Sequence, residues 1–510
     1  MSLQKQKQLP QCIKRSNKQP HDYQIKIVEF MMENRGLLVF HKVGSGKTLT
    51  AITVSQCYLD KYPDHQVVVI APAGLIANFQ KEMELSYVNL RNSKKYSYFS
   101  YQGFHNAHEQ NKISCKKSLL IVDEAHHLRT IYHASKKKEF GVLTKSVTEC
   151  AENADKVLIL SGTPIYNSPG DIASLYNMIR DPSTVAITFN NAKKFDYELF
   201  RGKLSFYDPG KSAEFPSRTN HYISIYMTPS YLNKYEKLVR EIKNNHKIVS
   251  PDFTDLYGAE NESPSMFHNV LRRAVNNLEN EKSQKIQWVV DKIQNPETPS
   301  PIIVFSHWLD AGNKIIASAL KELNVPFAFI QGQIKMPERV KIVNDYNSGK
   351  IKVLLLSMAG GEGLDLKNTR TVILLEPSWN ESTLEQVIGR AVRFRSHAQL
   401  PLEERKVDVF YLDHIKPSDV KYFPKIKKLL NQEVYQQVKQ VNIKKPGLFD
   451  KLSNFFGNVF VEPKREIQDQ NILDVSNMSI DLLMRTYLKK KQKEIDEYNK
   501  LLENLSIEKN

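Results

Sequence analysis

The chain has 510 residues, of which 41% are hydrophobic and 25% charged, a composition ordinary for a globular protein of two or three domains. No apolar stretch approaches the roughly 20 residues that span a bilayer, and the polar, basic N-terminus lacks the apolar core of a secretory signal, so we expect no membrane partner. The formal charge of +16 favours a polyanionic partner, with nucleic acid the first candidate.

Short apolar runs alternate with helical stretches along most of the chain, and this rhythm predicts parallel sheets with helices on both faces. We expect residues 1–19 to be a disordered basic tail, 20–216 a first α/β lobe, 217–281 a helical connecting segment, 282–441 a second α/β lobe and 442–510 a C-terminal helical extension. The strands predicted for the first lobe are Gly36–Phe40, Val67–Ala71, Ser118–Val122 and Lys156–Ser161. Those of the second are Pro301–Phe305, Pro326–Ile330, Ile351–Ser357, Arg370–Glu376 and Val407–Leu412, and an amphipathic helix is predicted over Ser479–Leu505.

The four cysteines, Cys12, Cys57, Cys115 and Cys150, are scattered without the spacing of metal ligands. This distribution predicts free thiols in a reducing compartment.

A glycine-bearing loop, HKVGSGKT at His41–Thr48, follows the first predicted strand and precedes a helix. Backbone N–H groups in such a loop wrap a triphosphate, a lysine supplies charge to the outer phosphates, and a hydroxyl binds magnesium. His41 stands where the usual pattern has glycine, but that glycine eases a turn and does not touch the transferred phosphate. The predicted nucleotide-binding residues are therefore Gly44, Ser45, Gly46, Lys47 and Thr48, the last also as a magnesium ligand.

A second motif, VDEAH at Val122–His126, ends the third predicted strand. Asp123 can hold magnesium through water, and Glu124 can orient and deprotonate the attacking water. The alternative is that the glycine-bearing loop is an ordinary helix-capping turn, which would leave Lys47 and this second motif unexplained. Two such motifs at strand ends, in this order, indicate a nucleotide triphosphatase.

The second lobe carries QVIGRAVRFRSH at Gln386–His397. Arg390 and Arg393 are three residues apart and therefore lie on one face of a helix. Two roles stay open for them: they contact nucleic acid, or at least one reaches across the cleft to the γ-phosphate as an arginine finger. The second role makes hydrolysis depend on closure of the lobes.

Together these motifs resemble those of helicase-like superfamily 2 ATPases, and within them the SWI/SNF-type double-stranded DNA translocases, from Tyr23 to about Leu412. The other segments that carry the resemblance are HDYQIKIVEFM from His21, VVVIAPAGLIANFQ from Val67, LSGTPIYN from Leu160, IIVFSHW from Ile302, SMAGGEGLDL from Ser357 and EPSWN from Glu376. The resemblance implies two tandem RecA-like parallel-sheet lobes, ATP and Mg2+ as cofactors, and double-stranded DNA as partner.

The resemblance also implies roles for single residues. Tyr23 and Gln24 are expected to read the adenine, and Gln386 to join the catalytic set. Coupling of ATP hydrolysis to DNA is assigned to Ser161, Thr163, Gly363 and Asp365. His126 and His127 are interpreted as hydrogen-bonding groups between motifs rather than as metal ligands.

A finer resemblance concerns RGKLSFYDPG from Arg201, FPSR from Phe215, the segment from Phe267 to Val290 and the C-terminal helix. These are similar to segments of the poxvirus-type nucleoside triphosphatase I and of the early transcription factor small subunit. This implies a role in viral transcription, RNA polymerase or a transcription-factor subunit as partner, and a location in the virion and the host cytoplasm (the viral factory). Two alternatives remain: a chromatin or repair remodeller of the same fold, and a nucleotide-switched DNA- or polymerase-binding module with little turnover.

Overall fold

The computed structural model describes residues 9–87, 94–128, 141–165, 169–188, 196–208, 214–246, 263–279, 281–358, 364–423, 435–438 and 478–509. Over these residues the chain forms two parallel β-sheets, one in each lobe, with helices packed on both faces. None of the helices described is both long and apolar enough to cross a membrane.

The first sheet contains β1 (Gly36–His41), β2 (Gln66–Ile70), β3 (Tyr96–Phe99), β4 (Ser118–Val122), β5 (Lys156–Ser161) and β6 (Leu204–Tyr207), in the spatial order β3-β2-β4-β5-β1-β6. Its helices are α1 (Gln11–Lys14), α2 (Asp22–Glu33), α3 (Lys47–Lys61), α4 (Ala73–Ser86), α5 (Tyr101–Glu109), α6 (Val142–Asn153) and α7 (Ala173–Ile179). Successive side chains of β4 enter opposite cores: Leu120 packs on one face and Leu119 and Ile121 on the other. This explains the unbroken apolar run, because a strand buried on both faces needs no polar alternation.

The second sheet begins with β7 (Ser217–Tyr226). The next two strands, β8 (Asn277–Leu278) and β9 (Glu281–Lys282), form a separate antiparallel pair outside this sheet. The sheet continues with β10 (Ile302–Phe305), β11 (Phe327–Ile330), β12 (Val353–Leu356), β13 (Thr371–Leu374), β14 (Lys406–Ile415) and β15 (Tyr435–Val438), in the order β11-β12-β10-β13-β14-β7-β15. The helices are α8 (Pro229–His246), α9 (Ser263–Ala274), α10 (Gln284–Gln294), α11 (Lys314–Glu322), α12 (Met336–Asn347), α13 (Glu381–Ala391) and α14 (Ile480–Asn504).

The expected fold class, two tandem parallel-sheet α/β lobes with a C-terminal helix, is confirmed. The segment 217–281 differs from the expectation of a helical connector. Its first ten residues form β7, which pairs in parallel with β14 along the whole length of both strands. Only the second half of β7 is mainly buried, and its hydrogen bonds reach residues far along the chain, so local sequence did not reveal a strand.

The N-terminal region and the cysteines also differ from expectation. From residue 9 onward the supposed tail is ordered, and Cys12 and Ile13 are buried. Disulfides join Cys12 to Cys57 and Cys115 to Cys150, across 45 and 35 residues of sequence. The prediction of free thiols is therefore wrong. Only the folded first lobe brings the partners together, because one pair joins α1 to α3 and the other joins the loop before β4 to α6.

Helix α14 belongs to the cores of both lobes. Its first half is held in the second lobe by two ion pairs, Lys285–Asp481 and Arg485–Asp413, each 2.7 Å long with side chains at most 1% exposed. Its second half places Leu502 in the core of the first lobe. Removing one member of a buried pair costs roughly 3–5 kcal/mol, because the remaining charge has no partner. The helix is therefore firmly fixed to the second lobe.

We expect reductant to destabilise the first lobe, because the Cys12–Cys57 bond restricts the unfolded chain and such a bond contributes about 2–4 kcal/mol. Calorimetry with and without dithiothreitol should show a lower Tm in the reduced protein. A Cys12→Ser/Cys57→Ser variant should start from a lower Tm and keep only the part of the response that belongs to Cys115–Cys150. Four reactive thiols in protein denatured without reductant would contradict both disulfides.

Candidate active site

Three neighbouring strands of the first sheet end at one edge, and each leads into a predicted motif. β1 leads into the phosphate loop, β4 into Asp123 and Glu124, and β5 into Gly162 and Thr163. The carboxyl ends of parallel strands meet at the same edge of a sheet, which is the usual place for a ligand. The motifs accordingly lie together: a Cβ atom built on Gly162 would be 3.6 Å from Lys47 Nζ.

The phosphate loop has the backbone that its glycines allow. Gly44 and Gly46 have φ angles of +84° and +75°, a conformation that a side chain would strain. Ser45 Oγ is buried and has no hydrogen-bond partner among the residues described. Lys47 Nζ donates to the His41 carbonyl at 3.0 Å. A turned backbone at the start of α3, an unpartnered hydroxyl and a lysine fit a triphosphate.

The Gln24 side chain, which is not part of the loop, holds the loop by hydrogen bonds. Its Oε1 accepts from the His21 N–H at 2.8 Å, and its Nε2 donates to the Gly46 carbonyl and to Thr50 Oγ1, both at 3.1 Å. The residue is fully buried. Gln24 therefore clamps the loop, and the adenine contact expected of it stays a prediction.

Tyr23 is placed by an aromatic partner that the sequence did not reveal. Its ring stacks on Tyr207, at the end of β6, with centroids 3.6 Å apart and planes 10° apart. Its hydroxyl donates to the Ser45 carbonyl at 2.6 Å. Burial, with a smaller contribution from Tyr207, raises the pKa of Tyr23, so this hydroxyl remains a donor. Tyr207 lies in the RGKLSFYDPG segment, but only the β1–β6 pairing brings it to the loop.

The two carboxylates after β4 differ electrostatically. Burial and the charge of Glu124 raise the pKa of Asp123. Burial opposes ionisation of Glu124 too, but the positive charges of Lys47, His126 and Arg390 together lower its pKa. Glu124 also has a φ of +53°, a conformation that is unfavourable for a residue with a side chain and that occurs at many active sites. Glu124 is thus held ionised as a base would be, partly by an arginine of the other lobe.

The side chains available for magnesium are few. No three His, Cys, Asp or Glu side chains cluster as a metal site in the part of the chain described. Asp123 and Thr48, the second residue of α3, would hold Mg2+, which usually keeps several waters and takes only one or two carboxylates. The cation would add positive charge beside two carboxylates, one of which resists ionisation, so this donor set fits it.

The second lobe meets the phosphate loop through α13. A Cβ atom on Gly389 would be 3.0 Å from Val43 Cγ1, so the absent side chain permits this close approach. Gln386 Nε2 lies 3.4 Å from His126 Nε2, and His126 Nδ1 lies 3.4 Å from Glu124 Oε2. Polar side chains of both lobes thus meet at the His126 ring, with Glu124 at ion-pair distance on one side and Gln386 on the other. The hydrogen-bonding role between motifs stays a prediction for His126.

Arg390 lies in α13, but the helix ends at Ala391, so Arg393 lies beyond it and the prediction that both arginines share one helix face is wrong. The charge of Arg390 acts on Glu124. Arg393 lies 3.4 Å from the Leu364 carbonyl and 3.8 Å from Asp365 Oδ1, with 39% of its side chain exposed. The charge of Arg390 therefore acts on the carboxylate predicted as the base, whereas Arg393 lies beside Asp365, a residue predicted for coupling.

The remaining coupling residues are split between the lobes. Ser161 Oγ accepts from the Thr163 N–H at 3.1 Å. Thr163 lines a cavity of about 350 Å³ between the lobes, together with Glu385 of α13 and Asn499 of α14. Its surroundings therefore include both lobes. Gly363 lies outside the described residues.

Two phenylalanines missed by the sequence reasoning pack against the loop. The Phe215 ring lies 3.0 Å from the position of a Cβ on Gly44, and the Phe394 backbone N lies 3.5 Å from it. The two rings are in edge contact, with centroids 5.9 Å apart. Phe394 directly follows Arg393 in the arginine motif, but nothing in its spacing showed that it would reach the other lobe.

Comparison with known proteins agrees with this architecture. Residues 17–166 match the family described as type III restriction enzyme, res subunit, and residues 284–395 match the helicase conserved C-terminal domain. The two matches cover the phosphate loop and carboxylates on one side and the arginine motif on the other.

Curated relatives come from large DNA viruses. A protein of Acanthamoeba polyphaga mimivirus named as an ATP-dependent RNA helicase is 30% identical over 410 residues, covering 76% of this chain and 87% of the relative. The termination factor NPH-I homolog of African swine fever virus is 26% identical, covering 74% and 69%. Nucleoside triphosphatase I of Melanoplus sanguinipes entomopoxvirus is 24% identical, covering 81% and 76%. The chain belongs to the superfamily 2 helicase-like ATPases, and it is an NTP-hydrolysing enzyme of the group that includes viral nucleoside triphosphatase I.

Proposed function

We propose that this protein is an ATP-dependent translocase on double-stranded DNA that acts in the transcription of a large DNA virus. The observation that carries the proposal is the meeting of Glu124, His126 and Gln386, which brings polar side chains of both lobes together beside the carboxylate that we propose as the base. Because the site draws groups from both lobes, each hydrolysis cycle is linked to their relative movement. Movement of two lobes along a bound polyanion is translocation.

In this proposal the residues divide the chemistry of ATP hydrolysis. The loop from Gly44 to Thr48 and the Lys47 ammonium bind the phosphates. Glu124 orients the attacking water and accepts its proton. When bound at Asp123 and Thr48, Mg2+ neutralises charge on the phosphate oxygens. Arg390 adds positive charge from the second lobe as charge develops on the γ-phosphate.

Double-stranded DNA is proposed as the track because GTPIYN and EPSWN resemble the SWI/SNF branch. The net charge of +16 suits any nucleic acid. RNA is a second candidate, supported by the name of the mimivirus relative. The name of the African swine fever virus relative, a termination factor, supports a transcriptional role. We propose RNA polymerase or a transcription-factor subunit as the partner, in the viral factory or virion. The assays below separate this function from a binding module with little turnover, which would hydrolyse ATP slowly with or without nucleic acid.

Substitution of Lys47 and Glu124 should give two different defects. Lys47→Ala should weaken ATP binding, because a charge contact to the phosphates is lost. Glu124→Gln should bind ATP with affinity close to the unsubstituted protein but hydrolyse it far more slowly, because the water loses its base. Calorimetric Kd and single-turnover rates measure the two effects. Matching affinities and matching rates in the two variants would refute the assignment.

Duplex DNA should stimulate hydrolysis, and binding should weaken steeply with salt because phosphate contacts release counterions. One ATPase assay with duplex DNA, single-stranded DNA and RNA of equal length, repeated from low to physiological salt, measures both. Stimulation by RNA alone would favour the second candidate. A rate unaffected by every nucleic acid would count against translocation altogether.

Arg390→Ala should lower basal turnover by about three orders of magnitude, in the range of finger arginines, while ATP binding stays nearly intact. Arg393→Ala is the matched comparison: it removes the same charge one turn away, beside Asp365. We expect it to reduce DNA stimulation more than basal turnover. The proposal for Arg390 fails if its variant keeps basal turnover and loses only DNA affinity, which is the behaviour of a phosphate-backbone contact.

A further inference from the structure

The residues after α14 run along the outer edge of the first sheet. β6 is the last strand in the order, and without a cover its outer edge would expose unpaired backbone groups. The Ile507 N–H donates to the Leu204 carbonyl at 2.8 Å, and the Phe206 N–H donates to Glu508 Oε2 at 2.9 Å. The C-terminal residues are therefore docked on the strand that neighbours the phosphate-loop strand.

Glu508 continues into a directional chain of hydrogen bonds. Ser205 Oγ donates to Glu508 Oε1 at 2.5 Å, and His41 Nε2 lies 2.9 Å from the same Ser205 oxygen. Because a carboxylate only accepts, the serine hydroxyl donates to Glu508 and accepts from His41. His41 is fully buried. Burial, aided by the charge of Lys47, lowers the pKa of His41 to about 3, so the ring is neutral and carries its single proton on Nε2.

This chain ends on the phosphate loop. His41 is the first residue of the HKVGSGKT motif, and its carbonyl accepts from Lys47 Nζ at 3.0 Å. The strand β6 touches the loop a second time through Tyr207, whose carbonyl accepts from the Lys42 N–H at 3.0 Å. The docked C-terminal residues thus act on a strand that holds the loop at two points.

The other end of the same helix is fixed in the second lobe. Asp481 and Arg485 form the two buried ion pairs near the start of α14, whereas Leu502 lies in the first lobe's core. The helix rises about 1.5 Å per residue, so these anchors are roughly 25 Å apart. Between them the helix lines the cavity of about 350 Å³ that separates the lobes. Because the helix is attached to both lobes, we expect a displacement of the second lobe to shift the residues that follow α14.

We propose that Glu508 is a positioning residue for the phosphate-binding loop, acting through Ser205 and His41, and that α14 thereby transmits the position of the second lobe to the ATP site. The inference rests on the proposed function in one respect, namely that this loop binds ATP. The proposal explains why a histidine can replace the glycine that the usual motif has at position 41. The bond from Nε2 requires a side chain there.

The test uses the full chain with Glu124→Gln as background, so that ATP binding is measured without turnover. Glu508→Ala and Ser205→Ala should each raise the calorimetric Kd for magnesium ATP by roughly two- to tenfold, the effect of one net hydrogen bond. The double variant should bind no more weakly than the weaker single variant, because both changes break one chain. Glu508→Gln keeps one acceptor oxygen and should recover part of the affinity.

Glu497→Ala is the matched control, since this acid is exposed on α14, ahead of the docked residues, and its Kd should equal that of the background. A purely structural role for Glu508 would lower the Tm of Glu508→Ala and leave its Kd unchanged; that result, or additive effects in the double variant, would overturn the proposal. The two ideas fail separately. A Glu508-dependent Kd in a protein that no nucleic acid stimulates would support the positioning role and remove translocation.

Discussion

The burial of two ion pairs under α14 is the constraint on which the arrangement of the lobes depends. Four charged side chains, those of Lys285, Asp481, Asp413 and Arg485, are at most 1% exposed. Taking such charges out of water is costly, and only close pairing compensates for it, so neither pair can open without a large penalty. At the first lobe the same helix is held by apolar packing and strand-edge hydrogen bonds. The helix is therefore attached more strongly to the second lobe than to the first. When the lobes move apart, we expect its contacts with the first lobe, near the ATP site, to break first.

The charges of the site also come from both lobes. Asp123 and Glu124 are neighbouring carboxylates whose burial disfavours two negative charges at once. Lys47 offsets part of this from within the first lobe, and Arg390 adds its charge from the second. Separating the lobes would remove the Arg390 contribution and leave Glu124 less stabilised as an anion. Lobe position thus affects the ionisation of the carboxylate that we propose as the base.

The sequence predicted what depends on local order. The central strands, the phosphate loop and Asp123 and Glu124 were found because a buried parallel strand is a continuous apolar run and its motif follows at once. The sequence did not predict the disulfides, β7 or the hydrogen bond between Ser205 and Glu508. The two residues of that bond are 303 positions apart. The adenine contact expected of Gln24 stays a prediction. Three hydrogen bonds to the backbone and Thr50 give this residue a position that supports the loop, which a sequence motif cannot show.

The histidine at position 41, where the usual motif has glycine, is explained by the structure around it. It is the last residue of β1, in register with Tyr207 of β6, so its backbone is extended and needs no glycine. The left-handed conformations fall later, at Gly44 and Gly46. A side chain at position 41 is therefore permitted, and because it is buried, any polar group on it needs a partner. Ser205 supplies a partner for Nε2 and is itself held by Glu508, whereas Nδ1 has no hydrogen-bond partner among the residues described. The missing glycine is therefore harmless to the turn, and the histidine that replaces it is joined through Ser205 to Glu508, just after α14.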